Sequence, residues 1–166
     1  MYTKSNTNSL LVVYCDFDGT IAQNDIGDAL FQSFGVFEPY HSQLLAGELT
    51  VRDYYRNAIS NAHNLTPETI AEFSRNYSID AYFLKFYQFC FKKNIPLTIL
   101  SDGFIEYIHP MLQQAGISNA NIRANHVSIQ NSEILPIFSG ASESCTCFCA
   151  SCKRNIMLSS SDTDSI

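Results

Sequence analysis

A short apolar run that ends in an acidic turn constrains this chain more than any other feature of its sequence. Residues 10–15 read LLVVYC, a continuous stretch rich in β-formers, and the turn DFDGT follows directly at residues 16–20. Such a run is typical of a fully buried strand in a parallel sheet. Because open α/β sheets bind ligands at the carboxyl ends of their strands, the carboxylates of Asp16 and Asp18 mark a candidate site.

A second buried strand is predicted further along the chain. The run PLTIL at residues 96–100 precedes Ser101, Asp102 and Gly103, and a helical pattern covers residues 104–115. The Ser101 hydroxyl and the main-chain N–H groups of Asp102 and Gly103 would form a phosphate cradle at the start of that helix. An ordinary helix N-cap would show the same pattern, so this turn alone does not decide between the two.

Lys153 follows a loop, and the pattern predicts that it opens a helix. A lysine there can neutralise a phosphate and an aspartyl carboxylate, although a solvated surface lysine is the plain alternative. The acidic turn, the serine turn and the lysine occur in this order. Together they favour phosphoryl transfer, in which one of the two carboxylates attacks phosphorus while the other transfers a proton.

The chain between the two predicted strands is helical in pattern. Residues 25–79 contain several candidate helices, one of which is expected to start at Thr66 without a capping box completed by Thr69. We therefore expect an α/β fold with a Rossmann-like parallel sheet and a helical cap inserted after the first strand. Residues 1–24 and 80–166 would form the core, and residues 25–79 the cap.

The remaining predicted elements complete the βα alternation. Residues 80–93 are expected to form a helix, and residues 122–129 and 134–138 resemble a pair of short strands. One face of the helix is predicted to carry Phe83, Phe86, Tyr87 and Cys90.

The composition of the chain argues against several classes of protein function. The chain is 46% hydrophobic and 16% charged, so global disorder is not expected. A net charge of −6 argues against non-specific nucleic-acid binding and leaves room for a small anionic substrate held by local donors. The chain has no apolar stretch long enough for a membrane span and starts with a polar segment, so we expect a cytoplasmic protein without a membrane partner.

Four cysteines crowd a short segment before the lysine: Cys145, Cys147, Cys149 and Cys152. Four thiolates can hold Zn²⁺, but the two CxC steps make tetrahedral closure awkward. We expect a loop of free thiols, with a cysteine-based metal-binding module as the competing interpretation.

The acidic turn, the serine turn and the lysine resemble the motifs of the haloacid dehalogenase superfamily of phosphatases over roughly residues 10–158. The resemblance implies a phosphomonoesterase with Mg²⁺ as its cofactor. It implies that Asp16 is the nucleophile, that Asp18 is the general acid/base, and that both bind the metal, Asp18 through its main-chain carbonyl. Ser101 and Lys153 would hold the phosphoryl group.

Finer features resemble one branch of that superfamily. A helical insertion between the first two motifs is similar to the subclass of phosphoserine phosphatase. The segments AGELTVRDYYRN, IPLTILSDGFIEYI and the cysteine-rich run into CK look like the methionine-salvage phosphatases. The resemblance implies a small phosphorylated metabolite as substrate, such as 2-hydroxy-3-keto-5-methylthiopentenyl-1-phosphate or the diketo form. Phosphatases of phosphocholine and pyridoxal phosphate are more distant.

Three further residues are candidates for substrate contact. Phosphoserine phosphatases carry a glutamate where this chain has Asp25, and they use a cap arginine, for which Arg52 and Arg56 are the candidates here. The shorter side chain of Asp25 argues against phosphoserine as the substrate. Arg52 fits a helix surface equally well.

The superfamily's fourth motif, a strand followed by paired acids that complete the Mg²⁺ site, is not evident. Asp162 and Asp164 occur near the end, but no apolar strand precedes them, and residues 159–165 read as a polar loop. We expect a truncated or degenerate chain that is a poor phosphatase by itself. The non-enzymatic alternative is an inactive chain that binds phosphate or a partner.

Overall fold

The computed structural model describes residues 11–131, 133–140 and 149–162. Eleven helices and strands are named here within these residues, and a tight turn, Phe17–Ile21, follows the first strand. In chain order they are β1 Val13–Cys15, α1 Ile26–Ser33, α2 Tyr40–Leu45, α3 Val51–Asn61, α4 Pro67–Ser74, α5 Ala81–Lys92, β2 Leu97–Phe104, α6 Ile105–Gln114, β3 Asn121–Gln130, β4 Glu133–Ile137 and α7 Lys153–Asp162.

The four strands form one sheet in the order β1-β2-β3-β4. β1, β2 and β3 are parallel, and β4 runs antiparallel to β3. The predicted α/β fold with a parallel sheet is confirmed, with the last strand reversed. The prediction that the first strand is fully buried is wrong: β1 is half-buried, because β2 is its only partner among the described strands.

An irregularity in β2 shapes the serine turn. Leu100 pairs with Arg123 and Phe104 pairs with Asn125, so the residues between Leu100 and Phe104 leave the regular ladder. The amide of Asn125, which is fully buried, donates to the main-chain carbonyl of Asp102 at 2.7 Å. The sequence predicted that this strand ends at Leu100, whereas it resumes and runs to Phe104 because Asn125 pairs with the displaced carbonyl.

The helical block between β1 and β2 holds α1 to α4 and begins and ends at one place. Ala22 and Ile79 form an antiparallel bridge, and Asp80 N donates to Ile21 O at 2.8 Å. This connection suits an inserted cap, and the boundary between cap and core stays a prediction.

The helix starts in this block follow the capping rules, with one difference from the prediction. Thr66 and Thr69 form a capping box, in which Thr66 N donates to the Thr69 hydroxyl at 2.8 Å. The prediction that Thr69 completes no box is wrong, because a threonine hydroxyl can accept this hydrogen bond as the usual glutamate does.

One buried cluster connects the cap helices to the sheet. It includes Ile26, Leu30 and Tyr54 from the helical block together with Ile99 of β2 and Ile108 of α6. Packing of this kind holds the cap helices against the carboxyl ends of the strands, where the predicted site residues lie.

Two predictions about helix surfaces and ends need correction. On α5, Phe83 and Cys90 are buried, whereas Phe86 is 41% exposed because no described element covers that side of the helix. The polar segment read as a loop from residue 159 is helical as far as Asp162, since α7 continues through its serines. Asp164 lies outside the described residues. No helix of the described residues is both long and apolar enough to cross a membrane.

Candidate active site

Asp16 and Lys153 form an ion pair at the end of β1. The Lys153 Nζ atom lies 2.7 Å from Asp16 Oδ1, which also accepts a hydrogen bond from Phe17 N at 2.8 Å. Lys153 is the first residue of α7, as the sequence predicted. The lysine therefore stands beside the predicted nucleophile, although 137 positions separate the two in the printed sequence.

Asp18 lies deeper and accepts hydrogen bonds at both carboxylate oxygens. Ile26 N donates to Oδ1 at 2.9 Å, and Oδ2 accepts from the Tyr107 hydroxyl at 2.8 Å and from Ser101 Oγ at 3.2 Å. Burial raises the pKa of the Asp18 carboxyl to about 6, and the charge of Asp25 adds to the rise while the hydrogen bonds oppose it. A carboxyl group with such a pKa can both donate and accept a proton near neutral pH.

The serine turn and the loop before the lysine are tied together. The Ser101 side chain, only 1% exposed, accepts from Gly103 N at 2.8 Å. The Asp102 carboxylate accepts a hydrogen bond from Ser151 N, two residues before Lys153. Burial raises the pKa of the Asp102 carboxyl, and the nearby charge of Lys153 opposes that rise. The Asp102 side chain thus connects the two segments expected to hold phosphate.

Gly103 occupies a place where no side chain fits. A Cβ atom there would overlap the Tyr107 hydroxyl and would lie 2.8 Å from Asp18 Oδ2. Because real Cβ atoms almost never approach other atoms this closely, glycine is required for the Tyr107–Asp18 hydrogen bond to form.

A cavity of about 270 Å³ unites these residues with the cap. Its wall contains seven of the predicted site residues: Asp16, Asp18, Asp25, Ser101, Asp102, Gly103 and Lys153. The cap and the adjoining helices add Asp28, His41, Leu44, Val51, Tyr54 and Tyr55. A second cavity, of about 380 Å³, lies beside β3 and contains none of the predicted site residues.

Arg52 and Arg56 are not among the described residues that line the site cavity. Arg52 Nε donates to Cys149 O at 3.1 Å, and its charge slightly opposes the rise that burial causes in the pKa of Asp102. Arg56 bonds to Asp53 at 3.3 Å and lies over the Phe138 ring, 5.3 Å from its centroid. Substrate contact by either arginine stays a prediction.

Sequence reasoning missed the polar groups that the helices bring to the cavity. Tyr54 donates to Asp28 Oδ1 at 3.0 Å, and His41 Nε2 lies 3.7 Å from Asp28 Oδ2. Neither Tyr54 nor Tyr107 was among the predicted site residues.

The fit of the site to Mg²⁺ is incomplete within the described residues. The Asp16 carboxylate and the main-chain carbonyl of Asp18 are oxygen donors of the kind that Mg²⁺ prefers. However, no cluster of three or more histidine, cysteine, aspartate or glutamate residues within the described part of the chain is placed to hold a metal ion. Octahedral coordination needs more protein or water ligands than these two groups supply.

The cysteine cluster is described only in part. Cys145 and Cys147 lie outside the described residues. Cys149 is half-buried, Cys152 is buried, and neither is in a disulfide. Zinc binding by the four cysteines stays an open hypothesis.

Known proteins include both sequence relatives and structural neighbours of this chain. No protein-family model matches the chain. It is 32% identical over 108 residues to Pdp3-interacting factor 1 of Schizosaccharomyces pombe, covering 63% of this chain and 47% of that protein. It is 27% identical over 157 residues to the 2-hydroxy-3-keto-5-methylthiopentenyl-1-phosphate phosphatase of Bacillus velezensis, covering 91% of this chain and 66% of that enzyme. The chain thus spans about half to two thirds of the length of these curated relatives.

Among solved structures, a substrate-bound phosphoserine phosphatase complex matches 94% of this chain and 72% of its own, with a TM-score of 0.68 and 16% identity. That likeness shows a shared fold. The sequence relatives extend the likeness to the methionine-salvage phosphatases. The sequence relatives and the shared fold support the predicted resemblance to the haloacid dehalogenase superfamily, in its phosphoserine phosphatase-like subclass and its methionine-salvage branch.

Proposed function

We propose that this protein is an Mg²⁺-dependent phosphatase of a small phosphorylated metabolite and works through a phospho-aspartate intermediate at Asp16. The observation that carries the proposal is the 2.7 Å contact between Lys153 and Asp16 at the wall of a cavity that also contains Asp18 and Ser101. The proposed nucleophile, proton-transfer group and phosphate-binding cation thus lie around one cavity. This combination matches the requirements of phosphoryl transfer, in which positioning and charge neutralisation supply most of the catalysis.

The reaction needs two displacements at phosphorus. In the first, an Asp16 carboxylate oxygen forms a bond to phosphorus, the bond to the leaving alcohol breaks, and Asp18 gives its proton to the departing oxygen. In the second, a water oxygen attacks phosphorus, the acyl phosphate bond to Asp16 breaks, and Asp18 takes a proton from that water. The carboxyl group of Asp18 is then ready for the next cycle.

The phosphate-binding groups act throughout both steps. Lys153 would neutralise part of the charge that builds up as Asp16 and the phosphate dianion approach each other. The Ser101 hydroxyl and the main-chain N–H groups of the serine turn would hold the non-reacting oxygens. Bound Mg²⁺ would supply further positive charge to the phosphoryl oxygens.

The cap side of the cavity favours a methylthio-ketone phosphate over phosphoserine. Leu44 and Val51 give it an apolar patch, while Asp25 and Asp28 make it negatively charged. No arginine, which could pair with the carboxylate of phosphoserine, is among the described residues that line the cavity. The names of the relatives agree with this choice, because several are called 2-hydroxy-3-keto-5-methylthiopentenyl-1-phosphate phosphatase.

Phosphate release from a panel of small phosphomonoesters, with and without Mg²⁺, tests the proposal on the complete natural protein. We expect Mg²⁺-dependent turnover, faster for the methylthiopentenyl phosphate than for phosphoserine. A protein that releases phosphate from no member of the panel would refute the proposed function. Faster turnover of phosphoserine would refute the substrate choice alone.

Replacing Lys153 with methionine should lower kcat/KM by roughly 100-fold and raise KM, because the phosphate loses its cation while the apolar part of the side chain is kept. Steady-state kinetics on the preferred phosphomonoester give the measurement. Arg154→Met is the matched control, since Arg154 is the next residue of the same helix and is exposed. Equal losses in the two variants would mean that general surface charge, not contact with phosphate, explains the effect.

A further inference from the structure

Tyr107 is a buried tyrosine whose hydroxyl group reaches the predicted proton-transfer residue. It lies in the first turn of α6 and is fully buried. Its hydroxyl donates to Asp18 Oδ2 at 2.8 Å, the shortest of the three hydrogen bonds that Asp18 accepts. A buried hydroxyl needs a hydrogen-bond partner. The Tyr107 hydroxyl donates to a carboxylate in the cavity rather than to a nearby main-chain group.

We propose that Tyr107 is a positioning residue that holds the Asp18 carboxyl group in the orientation needed to protonate the leaving alcohol. The inference rests on the proposed phosphatase function and adds a residue to it. Tyr107 is not among the residues that line the cavity, so it acts through Asp18 and makes no contact with substrate.

The hydrogen bonds of Asp18 divide into two that persist and one that is exchanged. Ile26 N holds Oδ1 and Tyr107 holds Oδ2, and both donors belong to well-packed helices. Ser101 is the third donor, at the longer distance of 3.2 Å. When Ser101 turns its hydroxyl to a phosphate oxygen, it vacates a lone-pair position on Oδ2, which is where the transferable proton would sit.

Tyr107 is then the side-chain donor that stays on Asp18 during the reaction. With one donor on each oxygen, the plane of the carboxyl group is fixed, and the vacated position of Oδ2 faces the place that the phosphate occupies. In the first step the proton on Oδ2 moves to the leaving oxygen as the P–O bond breaks. In the second step Oδ2 regains a proton from the attacking water. The Tyr107 proton stays on its own oxygen.

The surroundings of Tyr107 keep its ring in place and its proton bound. The ring packs against Phe17 with centroids 6.1 Å apart, and against Phe104 edge to face at 6.4 Å. Burial, together with the charge of Asp18, raises the pKa of the Tyr107 hydroxyl well above its usual value, so the group remains a donor. The space for the hydroxyl exists because Gly103 has no side chain.

The Tyr107→Phe variant of the complete natural protein tests the proposal by comparing two substrates whose leaving groups differ in their need for a proton. The two substrates are p-nitrophenyl phosphate, whose leaving group departs without protonation, and the alkyl phosphomonoester that the wild type hydrolyses fastest. We expect kcat/KM to fall roughly tenfold or more for the alkyl ester and by less than about twofold for the aryl ester. KM for the alkyl ester should change less than kcat, because Tyr107 does not touch phosphate.

The control is Tyr40→Phe, which removes a tyrosine hydroxyl that accepts a hydrogen bond from Asn61 at 3.0 Å and does not line the cavity. It should leave the ratio of the two kcat/KM values as in the wild type. Since both rates come from one preparation, the fraction of folded protein cancels in that ratio.

Three outcomes decide the matter. A selective loss with the alkyl ester supports the positioning role. An equal loss with both esters, or no loss with either, overturns it and leaves Tyr107 as a packing residue in a working phosphatase. A wild-type protein that hydrolyses neither ester overturns the proposed function itself.

Discussion

Asp16→Asn should abolish phosphate release, with a loss of at least about 10⁴-fold in kcat. Asparagine is nearly the same size as aspartate and can still accept the hydrogen bond from Phe17 N, so the turn should keep its shape. An amide oxygen is a far weaker nucleophile than a carboxylate and does not form a stable acyl phosphate. The measurement is phosphate release from the preferred phosphomonoester under saturating Mg²⁺.

The control for this variant is Asp53→Asn. Asp53 lies at the start of α3, and its side chain is 45% exposed and pairs with Arg56 instead of lining the cavity. Its replacement removes one carboxylate without touching the nucleophile, so activity should stay near the wild-type value. Turnover by Asp16→Asn at a rate comparable with this control would remove Asp16 from the role of nucleophile.

Gly103→Ala should damage both stability and activity. The new methyl group would overlap the Tyr107 hydroxyl and approach Asp18 Oδ2, so the tyrosine ring must move within a packed core. Overpacking of this kind costs about 1–3 kcal/mol of unfolding free energy. Displacing Asp18 and its hydrogen-bond partners at the same time should lower kcat by roughly 10³-fold, within the usual range for lost general acid–base catalysis.

Gly27→Ala is the matched control for this variant. Gly27 is buried inside α1, and a Cβ there would lie 3.4 Å from Asp25 Oδ1, an ordinary contact distance. Because alanine is a better helix former than glycine by about 1 kcal/mol, the variant should be as stable as the wild type or more so. Chemical denaturation of the two variants gives the comparison. An unfolding midpoint for Gly103→Ala equal to that of the control would show that the close contact is relieved without cost.

The sequence predicted the parts of the site that depend on local order along the chain. Asp16 and Ser101 follow apolar runs, and the carboxyl ends of parallel neighbouring strands must lie at one edge of a sheet. Lys153 was predicted to begin a helix after a loop, and it does. These placements follow from periodicity and chain direction, so no knowledge of distant contacts was needed.

The cap side of the site depends on packing between segments that are far apart in the sequence. Sequence patterns therefore predicted little of it. Helical periodicity shows which face of a helix is buried and not whether a buried hydroxyl, such as that of Tyr107 or Tyr54, meets a carboxylate. Arg52 and Arg56 were named because phosphoserine phosphatases use a cap arginine. Arg56 packs on Phe138, a contact between segments far apart in the chain. The β2 irregularity also escaped prediction, since it depends on Asn125 of the neighbouring strand.

The most direct test of the central claim is a crystal structure of the complete natural protein with Mg²⁺ and beryllofluoride, which mimics a phosphoryl group bound to a carboxylate. The proposed function predicts beryllium bonded to a carboxylate oxygen of Asp16, with fluorine atoms within hydrogen-bond distance of Ser101 Oγ and Lys153 Nζ. Beryllofluoride bound on the cap side of the cavity, or on another carboxylate such as Asp18 or Asp102, would contradict it.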